Sequence, residues 1–299
     1  MIRVIFQDYL RKAPVKASAP FWKTITIRPT TKTICPYLIK SVSILLCNNL
    51  IRSQMKTALI TGANKGIGLE TARQLTQNGF FVYIGCRNIE SGEAAAAQLK
   101  ADGFDNVKAL QLDVTDQGSI EAARAALGRK TDVLDVLINN AGISGGFPQT
   151  ALDATTEQFR AVFETNVFGV AGVTQAFIDL LKKSPEPRIV NVSSAMGSLS
   201  LSAAPSDNPY HNIMAVYQSS KSALNMYTIN LAYQLKDLPF KVNMVCPGYT
   251  KTDFTDHQGT STVQEAGQRI AKYALIGQDG PTGKFVSEEY FPEPASCPW

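Results

Sequence analysis

The chain has 299 residues, 44% of them hydrophobic, which is enough for one sizeable core and one or two domains. The formal charge of +4 is unevenly held. Residues 1–54 carry nine of the 29 Lys/Arg and one of the 25 acids, so the 20 bases and 24 acids that follow leave residues 55–299 at about −4. A mildly acidic body gives no reason to expect nucleic-acid binding. Five cysteines without a CxxC, and two histidines (His211, His257) with no partner at metal-ligand spacing, argue against a metal site and for a reducing, cytoplasmic compartment.

Residues 1–54 show no helix or strand periodicity. Their best apolar run, Ser41–Cys47, falls far short of the roughly 20 residues of a membrane span. It also lies too far in for a signal peptide. Three readings stay open: a transit peptide, a disordered tail, or a segment outside the natural protein. The last is favoured, because Met55-Lys56-Thr57 opens directly into a strand.

From Met55 short apolar runs alternate with helical patterns. Strands are expected at Thr57–Thr61, Phe80–Cys86, Val107–Leu112, Val133–Asn139, Arg188–Ser193, Lys241–Cys246 and Lys284–Ser287. Between them, helices are expected at Gly66–Gln77, Ser91–Lys100, Ser119–Leu127, Thr155–Lys183 and Val216–Lys236. Asn78-Gly79 is a stop for the first, and Thr155 with Gln158 has capping-box spacing for the fourth. This alternation predicts an α/β fold over residues 55–299: a single doubly wound parallel sheet (Rossmann fold) with helices on both faces, and ligands at the carboxyl ends of its strands.

Thr61-Gly62-Ala63-Asn64-Lys65-Gly66-Ile67-Gly68 follows the first strand and opens the first helix. Glycines there let a pyrophosphate approach the helix N-terminus, where unpaired N–H groups and the dipole favour anions. The spacing is GxxxGxG, and an ordinary strand–helix loop is the plainer alternative. The second strand ends Gly85-Cys86-Arg87, without the acid that would bond a ribose hydroxyl. Arg87 and Lys65 instead suit a 2′-phosphate, as in NADP(H), the alternative being two solvated cations.

Tyr217-Gln218-Ser219-Ser220-Lys221 begins the last long predicted helix, and i, i+4 spacing puts Lys221 on the face of Tyr217. A nearby ammonium would lower the phenol's pKa from about 10 toward the range of an acid/base catalyst. Ser193-Ser194 ends a strand, where a hydroxyl can bond a carbonyl and its developing oxyanion. Asn139-Asn140-Ala141-Gly142 ends another, as a sheet brace and cofactor wall. Asn166, inside a helical pattern and followed by Gly169, breaks local propensity, as functional positions often do.

Together these motifs resemble those of the short-chain dehydrogenase/reductase family, over Met55–Trp299. They run in the family's order: TGANKGIG at 61–68, Asp113-Val114, NNAG at 139–142, Asn166, Ser194, YQSSK at 217–221, and Pro247-Gly248 followed by Thr252. The resemblance implies Tyr217 as general acid in reduction and base in oxidation. Lys221 would tune it and hold the nicotinamide ribose, Ser194 would orient the carbonyl, and Asn166 would hold a relay water. It implies cofactor positions at Gly62, Asn64, Lys65, Gly66, Ile67, Gly68, Arg87, Asp113, Val114, Asn140, Ala141, Gly142, Tyr217, Lys221, Pro247, Gly248, Thr250 and Thr252. Asp113 would contact adenine and Thr252 the carboxamide.

The segment Cys246–Asp253 and the tail Asp279–Ser287, ending Pro298-Trp299, are similar to the carbonyl-reductase-like branch. One departure is that Ser194 and Tyr217 stand 23 apart, against about a dozen in most of the family. A still longer insert accompanies monomers in carbonyl reductases, so monomer and homo-oligomer both stay open. The extra segment, Leu199–Met214, is expected beside the site, with His211 read as a solvated loop residue.

The resulting expectation is an NADPH-dependent reductase of an aldehyde or ketone. The alternatives are a secondary-alcohol dehydrogenase working in the oxidative direction and a non-catalytic NADP(H)-sensing module. The loops Ile143–Leu152, Leu199–Met214 and Tyr249–Val263 carry few charges, which favours an apolar carbonyl or alcohol substrate.

Overall fold

The computed structural model describes residues 55–204 and 213–299; the readings made for residues 1–54 and for His211 lie outside them. The described strands are β1 (Thr57–Thr61), β2 (Phe81–Cys86), β3 (Val107–Gln111), β4 (Val136–Asn139), β5 (Arg188–Val192), β6 (Lys241–Val245) and β7 (Phe285–Val286). They form one sheet in the order β3-β2-β1-β4-β5-β6-β7, with every neighbouring pair parallel. The order reverses between β1 and β4, and a ligand crevice opens at the carboxyl ends of strands flanking such a point.

The helices are α1 (Gly66–Gln77), α2 (Ile89–Ala101), α3 (Gln117–Gly128), α4 (Thr156–Phe163), α5 (Gly169–Leu181), α6 (Leu199–Ala203), α7 (Ala215–Gln234) and α8 (Val263–Ala274). Strand alternation divides the core in two. Ala58 and Ile60 of β1 face one side, with Leu75 of α1, Leu99 of α2 and Ile270 of α8. Leu59 faces the other, with Leu127 of α3, Phe177 of α5 and Leu231 of α7. Helices therefore cover both faces, as the near-continuous apolar strands require.

Several boundaries differ from the sequence expectation, each for a local reason. Helix α2 begins two residues early because the Asn88 side chain accepts from the Ser91 N–H at 2.7 Å. Helix α3 does the same, with Asp116 accepting from Gly118 N–H at 3.0 Å. Strand β4 starts at Val136 rather than Val133, since Leu134 N–H bonds the Leu180 carbonyl instead of a neighbouring strand. The expected helix at 155–183 is one run, capped by the Thr155–Gln158 box, but interrupted by a π turn at Glu164–Phe168. The run Thr156–Leu181 is long and apolar enough to cross a membrane. Its Val173, Phe177, Leu180 and Leu181 are buried in the core, as in the central helix of an α/β domain.

Helix α8 was not expected at all. It starts at a capping box of Thr262 and Glu265 and packs on α1, where a Cβ on Gly267 would lie 2.7 Å from Glu70 Cγ.

Candidate active site

The glycine turn lies at the carboxyl end of β1. Gly62 and Gly66 take left-handed conformations, φ 63° and 56°. A Cβ on Gly62 would stand 2.9 Å from Ala141 Cα, and one on Gly68 2.6 Å from Asn140 Nδ2. The turn therefore packs directly on the Asn140–Ala141 segment. Thr61 Oγ1 accepts from the N–H groups of Asn140 and Ala141, each at 3.0 Å. Asn140 Nδ2 donates to the Thr61 and Gly62 carbonyls at 2.9 and 3.1 Å. Lys65 stands at the N-cap of α1 without a side-chain cap bond. A bare backbone cradle under a helix N-terminus suits a pyrophosphate, so these residues fit a dinucleotide. Asn64 ties the turn to α2 through Ser91 Oγ at 3.2 Å.

Arg87 is exposed just beyond β2, where a 2′-phosphate would arrive. Lys65 is paired with Asp253 at 2.7 Å, so the structure spends that cation on the opposite loop. One oxygen of Asp113 accepts from Thr115 N–H and Oγ1, at 2.9 and 2.8 Å. Val114 packs on Gly169, where a Cβ would meet the Val114 carbonyl at 2.7 Å. After β6, Pro247 accepts from Arg269 at 2.7 Å, Gly248 is left-handed (φ 91°), and Thr250 is buried. Thr252 Cγ2 lies 3.7 Å from where a Gly66 Cβ would be, which brings this loop against the glycine turn. Ile67 packs against the core on the α1 side.

Tyr217 and Lys221 share the buried face of α7. The Lys221 ammonium lies 5.6 Å from the Tyr217 ring centroid and donates to the Val192 carbonyl at 2.9 Å. Ser194, just past β5, accepts from Met196 N–H at 3.2 Å and lies near enough to the Tyr217 phenol to lower its pKa. A Cβ on Gly197 would sit 2.8 Å from Lys221 Cβ, so the 3₁₀ turn Ala195–Gly197 rests against α7 at the lysine. Asn166 occupies the π turn, a feature frequent at functional sites. Its Nδ2 donates to Ser220 Oγ at 3.1 Å and to the Ile143 carbonyl at 3.0 Å, while its Oδ1 accepts from Ile143 N–H at 2.9 Å. A Cβ on Gly142 would lie 3.3 Å from Asn166 Oδ1 and 3.8 Å from Lys221 Nζ. The four expected catalytic residues are thus brought to one place. Asn139 proves the brace: its Nδ2 donates to Asn191 Oδ1 at 2.8 Å and Thr174 Oγ1 at 3.1 Å.

The electrostatic expectation is overturned in one respect. Burial pushes the Tyr217 phenol above its ordinary value, the buried Cys246 adds to the rise, and the nearby Ser194 side chain only opposes it. Burial lowers the Lys221 ammonium to about 8. Desolvation disfavours the charged form of each, and it wins over the pairing that i, i+4 spacing suggested.

Two contributors escaped the sequence reading. The Phe254 ring lies 5.7 Å from that of Tyr217, tilted by 58°. Glu289 accepts from Tyr249 N–H at 2.6 Å and pairs with Arg269 at 3.6 Å, holding the loop after β6 from the C-terminal segment. Neither contact has a short-range sequence signal.

A sequence model of the family described as short chain dehydrogenase matches residues 56–262, and the chain belongs to that family. It is 36% identical over 237 residues to a short-chain dehydrogenase, anuI, of Penicillium roqueforti, covering 77% of this chain and 93% of that one. It is 32% identical over 302 residues to salutaridine reductase of Papaver bracteatum, covering 80% and 96%. Among solved structures it is similar to an NADPH-bound carbonyl reductase from chicken fatty liver, with TM-score 0.70 and 28% identity over 82% of this chain and 99% of the other.

Proposed function

We propose that this protein reduces an aldehyde or ketone with NADPH, which supplies the hydride when bound. The observation that carries the reading is the buried Tyr217–Lys221 pair at the carboxyl end of the sheet, with Ser194 near the phenol. Ser194 and Tyr217 together bind the substrate oxygen. As negative charge develops there, the Ser194 hydroxyl donates to it and the Tyr217 hydroxyl gives up its proton to form the alcohol. Lys221 places its positive charge beside the phenolate that results. Asn166, fixed by Ile143 and Ser220, joins α7 to the loop after β4.

Gly62, Gly66 and Gly68 with the α1 N-terminus are the proposed pyrophosphate seat. Arg87, with Lys65 once released from Asp253, is the proposed 2′-phosphate site. The names of the salutaridine reductase and carbonyl reductase relatives support the reductive direction. A purely sensing role has no support in a site that retains both Tyr217 and Lys221.

Ile143, Phe147, Leu199, Tyr249 and Phe254 are exposed apolar or aromatic side chains on the loops after β4, β5 and β6. They favour a small apolar carbonyl compound over a sugar or carboxylate. Cys86, Cys246 and Cys297 are buried thiols, which supports a reducing compartment, the cytoplasm.

The test follows NADPH absorbance with a panel of apolar ketones and aldehydes. Tyr217→Phe is expected to lower kcat roughly 10²- to 10⁴-fold with NADPH binding retained. Turnover equal to that of the parent protein would refute the assignment.

A further inference from the structure

Helix α7, which carries Tyr217, has no cap of its own. Met214 at its N-cap makes no side-chain cap bond, and no acid stands in the first turn. Such a start leaves N–H groups needing outside acceptors. Gln149, remote in sequence, supplies them. Its main-chain carbonyl accepts from Ala215 N–H at 2.8 Å, and its side-chain Oε1 accepts from the N–H of Tyr217 itself at 3.1 Å. An acceptor on the third helical N–H is the work of an N-cap side chain, delivered here from another loop.

The other end of the amide faces the opposite way. Gln149 Nε2 donates to the Ser144 carbonyl at 2.7 Å and to the Gly146 carbonyl. The residue is fully buried, and a buried amide persists where its polar atoms are paired. Every polar atom of this side chain is used to join the loop at 143–148 to the first turn of α7. The loop is shaped for that contact: Gly145 and Gly146 are left-handed at φ 92° and 73°, and a Gly145 Cβ would stand 2.5 Å from Val162 and 3.4 Å from Gln149 Nε2. Gln158 Nε2 adds bonds to the Gly145 and Pro148 carbonyls at 3.2 and 3.1 Å.

We propose that Gln149 is a positioning residue that locks the first turn of α7, and with it the Tyr217 phenol, to the loop that walls the carbonyl site. The inference rests on Tyr217 being the proton donor. Proton transfer is sensitive to displacement, and a misplacement of about 1 Å costs on the order of 100-fold in rate. A turn whose Tyr217 amide is held by a remote side chain follows the loop that carries it, and the clamp fixes the two together.

Two variants separate its halves. Gln149→Leu removes both. Its kcat is expected to fall at least about tenfold with NADPH affinity held within about twofold, and hydrogen exchange at the Tyr217 amide to accelerate about tenfold. Gln149→Glu keeps the acceptor for Tyr217 N–H but sets a carboxylate against two carbonyls. There the helix amides stay protected while KM for the carbonyl substrate rises. The exchange readout requires no turnover, so it stands even where the reductase assignment fails. Wild-type kcat and exchange in a folded Gln149→Leu would overturn the proposal. So would a fall in kcat matched by loss of NADPH affinity and of protection throughout the sheet, the mark of a structural brace. Should Gln149→Leu not fold, Gln149→Glu decides: protected amides with raised KM support the clamp, and unprotected amides or an unchanged KM refute it.

Discussion

Raising the pH through the titration of Lys221 perturbs one buried charge and yields two separate measurements. Burial takes the ammonium from 10.5 to about 8, and at 5% exposure solvent does not screen the effect away. That displacement corresponds to roughly 3 kcal/mol against the charged form. The unfolded chain holds this proton up to about pH 10.5, while the folded protein releases it near 8. The unfolded state therefore binds more protons between those values, and stability rises with pH across that window.

Measured as a difference from Lys221→Met, which does not titrate, the wild type should gain roughly 3 kcal/mol of relative stability between pH 7 and pH 10.5. Denaturant unfolding at fixed pH values reads this. The kinetic consequence has the opposite sense. kcat/KM for NADPH reports ionisations of the free enzyme, and it should decline about tenfold per unit above pH 8 as the charge near Tyr217 disappears. A kcat/KM that stays flat to pH 10, or a stability difference that does not move, would refute the placement of a desolvated ammonium at this position.

Two further predictions concern the cofactor. Arg87→Ala should weaken NADPH binding about tenfold and leave NADH binding unchanged, since in the proposed site the guanidinium meets only the 2′-phosphate; fluorescence titration with both nucleotides tests this, and equal losses would move Arg87 out of that role. Gly68→Ala places a Cβ 2.6 Å from Asn140 Nδ2 and 2.7 Å from the Gly62 carbonyl oxygen, so NADPH affinity should drop at least about tenfold and thermal stability should fall. Unchanged binding in a folded Gly68→Ala would show that the turn yields without cost.

What the sequence conveyed and what it withheld divide by range. The strands were legible because β1, β2 and β5 are buried on both faces and are rich in apolar and β-branched residues. The glycine turn was legible because backbone packing against Asn140–Ala141 admits no side chain at Gly62 and Gly68. Helix α8 carried its own signal, Thr262 and Glu265 at capping-box spacing and buried positions Ala266, Ile270 and Ala274 on one face. It follows the loop expected at Tyr249–Val263, in a stretch before Lys284 where no element is expected. The π turn at Asn166 has no local signature, because it follows from the bonds of Asn166 to Ile143, 23 residues earlier. Gln149 is less legible still: nothing in its neighbourhood says that its partners are Tyr217 and Ala215.

The sign of the Tyr217 shift marks the same boundary. Spacing alone put a cation near a phenol and suggested a phenol made more acidic. The fold puts that cation by the ring and on the Val192 carbonyl and buries both groups, so desolvation governs each. A phenol whose pKa is raised by burial gives up its proton less readily, so proton donation needs a charge that stabilises the phenolate. The ammonium then acts where it matters most, on the phenolate left after proton transfer, in a site dry enough for one charge to stabilise another strongly. Burial, which the linear pattern could not reveal, thus sets how far each of the two groups depends on the other's charge.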